Sequence, residues 1–345
     1  MGTDRTLAGT PVEAFAYDLP EERIAQVPIE PRDAARMLVD RGPLRPPDHR
    51  GVRDLPTRLD AGDVLVVNDT RVLPARIAAT KATGGAVEVL LLEREPTGSW
   101  RALVRPSRRV APGTTVTAGA LTIEVGEDLG DGVRRVTLGD EAPLDAVGRV
   151  PLPPYIHVDL DDPERYQTVY ARTPGSVAAP TAGLHLTDRV LDACRERGIR
   201  IERVELQVGL GTFRPIAAEV VEDHVMHAEA YRVEPSVIAA CRAARAHGSR
   251  VVAVGTTTLR TLEAVEATGE LEGRTDIYLH GDVRPTLVDT LLTNFHVPRS
   301  SLLVLVDAFV GPRWRRLYET ALADGYRFLS FGDCCLLDGR PGRAA

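Results

Sequence analysis

The chain reads as an α/β protein whose mixed sheet is interrupted by a small inserted antiparallel β-barrel. Two textures predict this: a β-rich stretch punctuated by glycine and proline, and an alternation of helix and strand patterns from about residue 187 onward. Alternating strands and helices imply a partly parallel sheet, so a nearly all-β stretch lying within the chain is expected to be an insertion. The expected division is an α/β body from residues 1–72 and 151–345, with the barrel at residues 73–150.

The run DVLVVN from Asp63 is short and apolar, as a strand covered on both faces should be. VLPARIAA, AVEVLLLE, WRALVRP, LTIEV and VRRVTL follow at short spacing, separated by turn signals that include Gly84-Gly85, Pro112-Gly113, Gly130 and Gly132. The texture changes after Pro151-Leu152-Pro153-Pro154. A helix over residues 187–198, with Thr187 as its N-cap, leads to a strand over 200–208. A helix near 235–247, a strand at 251–255, a helix near 257–267 and an apolar strand at 288–293 continue the alternation. Helical segments at 300–310 and 312–323 complete it.

With 345 residues, 43% hydrophobic and 26% charged, the chain is long enough for one large domain or two smaller ones. A net charge of −7 is unlike that of a general nucleic-acid binder, although a local basic patch fits within it. Cys194, Cys241, Cys334 and Cys335 form no CxxC pair, so neither a zinc site nor a disulfide framework is signalled, and a reducing compartment is expected. The N-terminus lacks an apolar stretch of signal-peptide length, and no apolar run approaches the roughly 18 residues that span a bilayer. The expectation is a cytoplasmic protein with no membrane partner.

Six polar segments carry candidate chemistry. Asn68-Asp69-Thr70-Arg71 follows a strand directly, which suits either ligand contacts from a rigid element or a capped strand-to-turn junction. The small-residue run at 174–185 lets backbone approach a ligand, with Thr181 and His185 as contacts, or forms a structural loop. Val208-Gly209-Leu210-Gly211-Thr212-Phe213 ends an expected strand but does not complete a dinucleotide fingerprint. His224, His227 and Glu229 form HxxHxE, which suits a metal cluster, proton transfer without metal, or plain structure; HEXXH is absent.

The fifth segment places Thr256 at a helix start, where free N–H groups can hold an anion. Arg260 follows on that helix, either as a ligand contact or in a surface pair with Glu263. The sixth puts Asn294 and His296 after another apolar strand. Ligands of open α/β sheets bind outside the carboxyl ends of strands, so these segments are expected to converge on one pocket.

Ten stretches run in order along nearly the whole chain: YDLPEERIAQVPIEPRDAARMLV at 17–39, NDTRVLPAR, PLPPYI, YQTVYA, VAAPTAGLHL, VGLGTF, HVMHAE, AVGTTTLRTLE, LLTNFHVP and YRFLSFGD at 326–333. In content and spacing they resemble the S-adenosylmethionine:tRNA ribosyltransferase-isomerase family of queuosine biosynthesis. The resemblance implies an α/β domain with an inserted barrel. It also implies a reaction joining S-adenosylmethionine to 7-aminomethyl-7-deazaguanine at the tRNA wobble position, giving epoxyqueuosine-tRNA, adenine and methionine. The implied route removes a proton from the ribose 5′ carbon beside the sulfonium, joins the resulting ylide to the base, then expels adenine and methionine as the epoxide closes.

Under that resemblance His185, His227 and Glu229 are expected to handle protons, and Arg71 and Arg260 to meet anionic groups. Asp69, Thr181, Thr256, Asn294 and His296 are expected to bind and orient substrate. S-adenosylmethionine is then a ribosyl-donor substrate, with no cofactor and no metal, and a monomer is expected. The chain departs from the family pattern at Val158, Gln207, His280-Gly281-Asp282 and Cys334-Cys335. Two further readings stand beside the first: a paralogue acting on a small-molecule acceptor without tRNA, and a ligand-binding homologue without turnover. A basic, RNA-sized groove favours tRNA, a closed pocket favours a small acceptor, and a pocket without a base favours binding alone.

Overall fold

The computed structural model describes residues 9–209 and 215–339. Nine strands form the main sheet, in the order Glu272–Thr275, Glu229–Val233, Arg200–Leu206, Val64–Asn68, Val251–Val254, Thr290–Asn294, Cys334–Asp338, Arg36–Val39 and Asp48–Gly51. Arg200–Leu206, Val64–Asn68, Val251–Val254 and Thr290–Asn294 run parallel to one another, and antiparallel pairs flank them. Every residue of Val64–Asn68 is buried. Val64 and Val66 pack in a core shared with the helices Pro235–Ala246, Thr256–Thr268, Ser301–Val310 and Trp314–Ala323. Leu65 and Val67 join the opposite core, with Val52–Arg58 and the helix Asp188–Glu196. Cover on both faces explains why this strand shows no polar alternation.

Thr187 caps its helix as expected, its hydroxyl accepting the Val190 N–H at 3.3 Å. The strand expected at 288–293 instead spans Thr290–Asn294. Glu263 takes the N–H groups of Leu287 and Val288 at 3.0 and 2.9 Å, so those residues are engaged before the ladder begins. The last helix opens as a tighter turn, Gly311–Arg313, before Trp314. Cys334 and Cys335 lie in a strand beside Thr290–Asn294, and all four cysteines are buried and free.

Six antiparallel strands close into the barrel: Arg76–Lys81, Ala86–Arg94, Trp100–Arg105, Val133–Leu138, Leu121–Asp128 and Thr114–Ala118, the last pairing back onto the first through Thr80–Thr117 and Lys81–Val116. Leu121, Ile123 and Val125 point inward while Thr122 and Glu124 face out, the period-2 pattern of a wall with one wet side. Closure leaves little sheet edge to protect. A short strand, Gly148–Arg149, adds onto Arg76–Lys81 as the chain returns to the main sheet. Among the described residues, no helix is long and apolar enough to cross a membrane.

Candidate active site

The parallel strands deliver their carboxyl ends to one edge of the sheet. Asn68 ends the central strand there and is fully buried. Its Nδ2 donates to the Leu206 carbonyl at 3.0 Å and to Thr257 Oγ1 at 3.3 Å, and its Oδ1 accepts the Leu206 N–H at 3.2 Å. This one amide clasps two neighbouring strands to the start of the helix Thr256–Thr268. The turn into that helix passes through Gly255 at φ 88°, a conformation that disfavours any side chain.

Against this edge lies a cleft of about 590 Å³, partly open to solvent, lined by Tyr155, Thr181, Val208, Thr256, Asn294, His296 and neighbours. Thr181 begins the short helix Thr181–His185, which packs tightly: a Cβ added at Gly183 would stand 2.0 Å from the Tyr170 hydroxyl. Tyr155 and His296 are the only ionisable side chains among the cleft's described lining residues. Burial pulls the His296 imidazole down to about 3, and its Nε2 pairs with Thr293 Oγ1 at 3.0 Å. His185 does not line the cleft but reaches it through Asn294, with 2.9 Å between Asn294 Nδ2 and His185 Nε2. Burial, aided by Arg327 and Arg32, lowers His185 to about 4, so both imidazoles are neutral at pH 7.

A second, smaller cleft adjoins the first at the strand end, where Val208 lines one and Gly209 the other. Its floor is the buried ion pair of Arg260 with Glu229. Arg260 is fully engaged: Nη1 donates to Glu229, Nε to the Ile277 carbonyl at 3.3 Å and Nη2 to the Thr275 carbonyl at 3.4 Å. Glu229 also accepts the Gly209 N–H at 3.0 Å, which ties the end of that strand to the pair. His227 stands exposed at the rim, and it also lines a groove of about 1360 Å³ facing the barrel residues Arg101, Leu103 and Val133. The rest of the VGLGTF motif, Leu210 to Phe213, lies outside the described residues.

The expected single pocket is therefore two clefts, and three candidates line neither: His185, which reaches the first through Asn294, and Asp69 and Arg71. Asp69 is fully buried beside Arg172, 3.1 Å away, and its own carbonyl accepts the Arg172 N–H at 2.7 Å. Burial raises its carboxyl pKa and Arg172 opposes that rise. Arg71 pairs with Glu164 in a third groove, of about 1830 Å³, lined also by Arg76, Arg149 and His157. The Arg260–Glu263 surface pair does not form. Both residues are buried, and Glu263 instead takes the N–H groups of Thr286, Leu287 and Val288 plus the Thr286 hydroxyl. Those bonds hold the approach to the strand that carries Asn294.

Sequence reasoning missed a ladder of rings that begins at His224 on the lining of the second cleft. His224 meets Tyr278 edge-on at 5.4 Å, and Tyr278 meets His280 at 4.7 Å. His280 begins the His280-Gly281-Asp282 departure from the family turn and Tyr278 lies two residues before it; that departure and His224 in HxxHxE were the signals. Among the described residues, no group of three or more His, Cys, Asp or Glu side chains is placed to hold a metal ion.

The chain is similar to known proteins over almost its full length. The family described as "Queuosine biosynthesis protein" matches residues 12–337. An S-adenosylmethionine:tRNA ribosyltransferase-isomerase of Moorella thermoacetica is 49% identical, across 94% of this chain and 99% of its own. One of Rubrobacter xylanophilus is 50% identical, across 94% and 96%. The crystal structure of S-adenosylmethionine tRNA ribosyltransferase from Thermotoga maritima superposes with a TM-score of 0.55 at 34% identity, covering 93% of this chain and 99% of that one. With a family match that spans both the sheet and the barrel, the chain belongs to the queuosine biosynthesis protein family.

Proposed function

We propose that the protein transfers and isomerises the ribosyl part of S-adenosylmethionine onto 7-aminomethyl-7-deazaguanine in tRNA, releasing adenine and methionine and leaving epoxyqueuosine. The observation that carries this reading is the near-full-length identity to relatives named for that activity, together with a family match at residues 12–337 that includes every residue lining the two adjoining clefts. Those relatives favour tRNA over a small-molecule acceptor and turnover over binding alone.

Within the site, His227 moves the proton, because it alone of the three candidates is exposed at a cleft rim. Glu229 and Arg260 neutralise each other and hold Gly209, so they position the strand end rather than exchange protons or bind an anion. His185 and His296, neutral and buried, orient the cleft wall. Thr181 and Thr256 contact S-adenosylmethionine from the strand-end cleft. Asp69 secures the turn after the central strand. Arg71 belongs to a groove with Arg76 and Arg149 that suits tRNA phosphate.

S-adenosylmethionine serves as substrate, and the reaction balances without a further cofactor. The exposed large apolar side chains, Val27, Leu44, Val158, Val169, Val225 and Val283, are scattered singly over loops, which supports a monomer. We place the protein in the cytoplasm with its tRNA. The test is incubation with S-adenosylmethionine and tRNA carrying the 7-aminomethyl-7-deazaguanine base, followed by mass spectrometry. Epoxyqueuosine formed in step with adenine supports the reading; adenine without modified tRNA supports a small acceptor, and neither product refutes it.

A further inference from the structure

Asn294 ends its strand on the wall of the strand-end cleft. Its amide has one allowed orientation. Nδ2 donates to the Leu329 carbonyl at 3.0 Å, faces the Asp333 carbonyl at 3.4 Å and meets His185 Nε2 at 2.9 Å. Carbonyl oxygens only accept, so the nitrogen must lie on that side. Oδ1 is then left buried without a hydrogen-bond partner. Native structures rarely leave a buried acceptor unsatisfied, because the loss of its water is not recovered. An unused acceptor on a residue that lines a cleft calls for a donor brought by the ligand.

Charge selects the donor. No Asp, Glu, Lys or Arg is among the described lining residues, so an ionic group bound there would lose its water without gaining a counter-charge. The methionine end of S-adenosylmethionine carries a sulfonium, an ammonium and a carboxylate, and the acceptor base carries a protonated aminomethyl group. Adenine is flat and neutral, with an amine donor at N6 and acceptor nitrogens in its rings. The first-turn N–H groups of Thr256–Thr268, at the same cleft, supply donors for those nitrogens.

We propose that the strand-end cleft holds the adenine of S-adenosylmethionine, with Asn294 Oδ1 accepting a hydrogen bond from the N6 amine. The assignment rests on S-adenosylmethionine being the substrate. Thr256, Asn294 and His296 then form one base-binding wall, and His185 is a positioning residue that keeps the amide nitrogen on the protein side. The charged half of the donor points toward the adjoining cleft, where His227 stands.

Two probes test this without turnover: S-adenosyl-L-homocysteine and its analogue lacking the 6-amino group, titrated by calorimetry into the full-length protein. The wild type is expected to bind the analogue at least about tenfold more weakly, the effect of leaving one buried acceptor unpaired. In Asn294→Ala the two probes should bind within about threefold of each other, because that acceptor is gone. Equal binding by the wild type overturns the proposal, as does an Asn294→Ala variant that keeps the wild-type preference. The wild-type comparison decides the matter alone if the variant does not fold.

In turnover, Asn294→Ala should raise KM for S-adenosylmethionine by about tenfold and leave KM for tRNA within about twofold. The opposite split would assign the cleft to the acceptor base. A wild type that releases adenine yet ignores the 6-amino group defeats this inference and leaves the ribosyltransferase reading intact. A wild type that binds neither probe and releases no adenine defeats both.

Discussion

The two adjoining clefts treat ionisable groups in opposite ways. The strand-end cleft keeps its imidazoles uncharged by burial, with His296 held near 3 and His185, behind Asn294, near 4. The neighbouring cleft buries a full ion pair beneath an exposed imidazole, His227. The difference teaches that a histidine near a pocket need not be its acid or base. Burial converts an imidazole into a neutral hydrogen-bonding group, while His227 keeps an exposed place at the rim of the second cleft.

Turnover offers the largest effect with which to break this contrast. His227→Ala should lower kcat by about a hundredfold to ten-thousandfold, as loss of a general acid or base does, without moving the denaturation midpoint. A kcat within threefold of wild type, measured by adenine release, would remove His227 from proton handling.

Stability comes next. Arg260→Met removes the counter-charge from buried Glu229 and should cost about 3–5 kcal/mol in urea unfolding, whereas the double replacement Glu229→Leu with Arg260→Met should recover most of that loss. An inexpensive single variant would mean that the pair does not hold the second cleft together.

The pH response sharpens the other side of the comparison. An unfolded histidine takes a proton near 6.5, but folded His185 and His296 resist it until about 4 and about 3. Below pH 6.5 the unfolded chain therefore binds more protons than the folded one. The stability these imidazoles contribute is fully present above 6.5 and falls as pH drops toward 4. His296→Gln should flatten the Tm–pH curve across that window, and an unchanged slope would contradict a neutral buried ring.

The smallest effect is expected at Arg71, outside both clefts. Because its pair with Glu164 is partly exposed, Arg71→Ala should leave Tm nearly unchanged. Binding of S-adenosyl-L-homocysteine should be unaffected, while the salt dependence of tRNA binding should lessen by about one unit of slope. A lost affinity for S-adenosyl-L-homocysteine would move Arg71 back into the donor site.

Much of the architecture was legible because local patterns carry it. The doubly apolar run DVLVVN, the Thr187 cap and the period-2 barrel strands each follow from short-range physics, and each appears in the structure. Strands such as Glu229–Val233 and Glu272–Thr275 were not legible. They sit toward one end of the sheet, where one side is wet and the apolar signal is diluted. The candidate residues Thr181, Thr256, Asn294 and His296, drawn from three of the six polar segments, line one cleft. The partner of Arg260 could not be found by counting along its helix, because Glu229 is 31 residues away and comes from a strand.

What the sequence determined by itself is the fold class, the family and the set of polar segments at strand ends, since these depend on local periodicity and on motifs in fixed order. Only the tertiary structure decided which of those segments share a cleft and which carboxylates and imidazoles remain free to act. Glu229 and Glu263 are both buried acids, yet one is paired with Arg260 and the other accepts hydrogen bonds from backbone N–H groups more than 20 residues away. Burial and charge pairing are set by neighbours distant in the chain, so a side chain's protonation and availability emerge only when those neighbours meet.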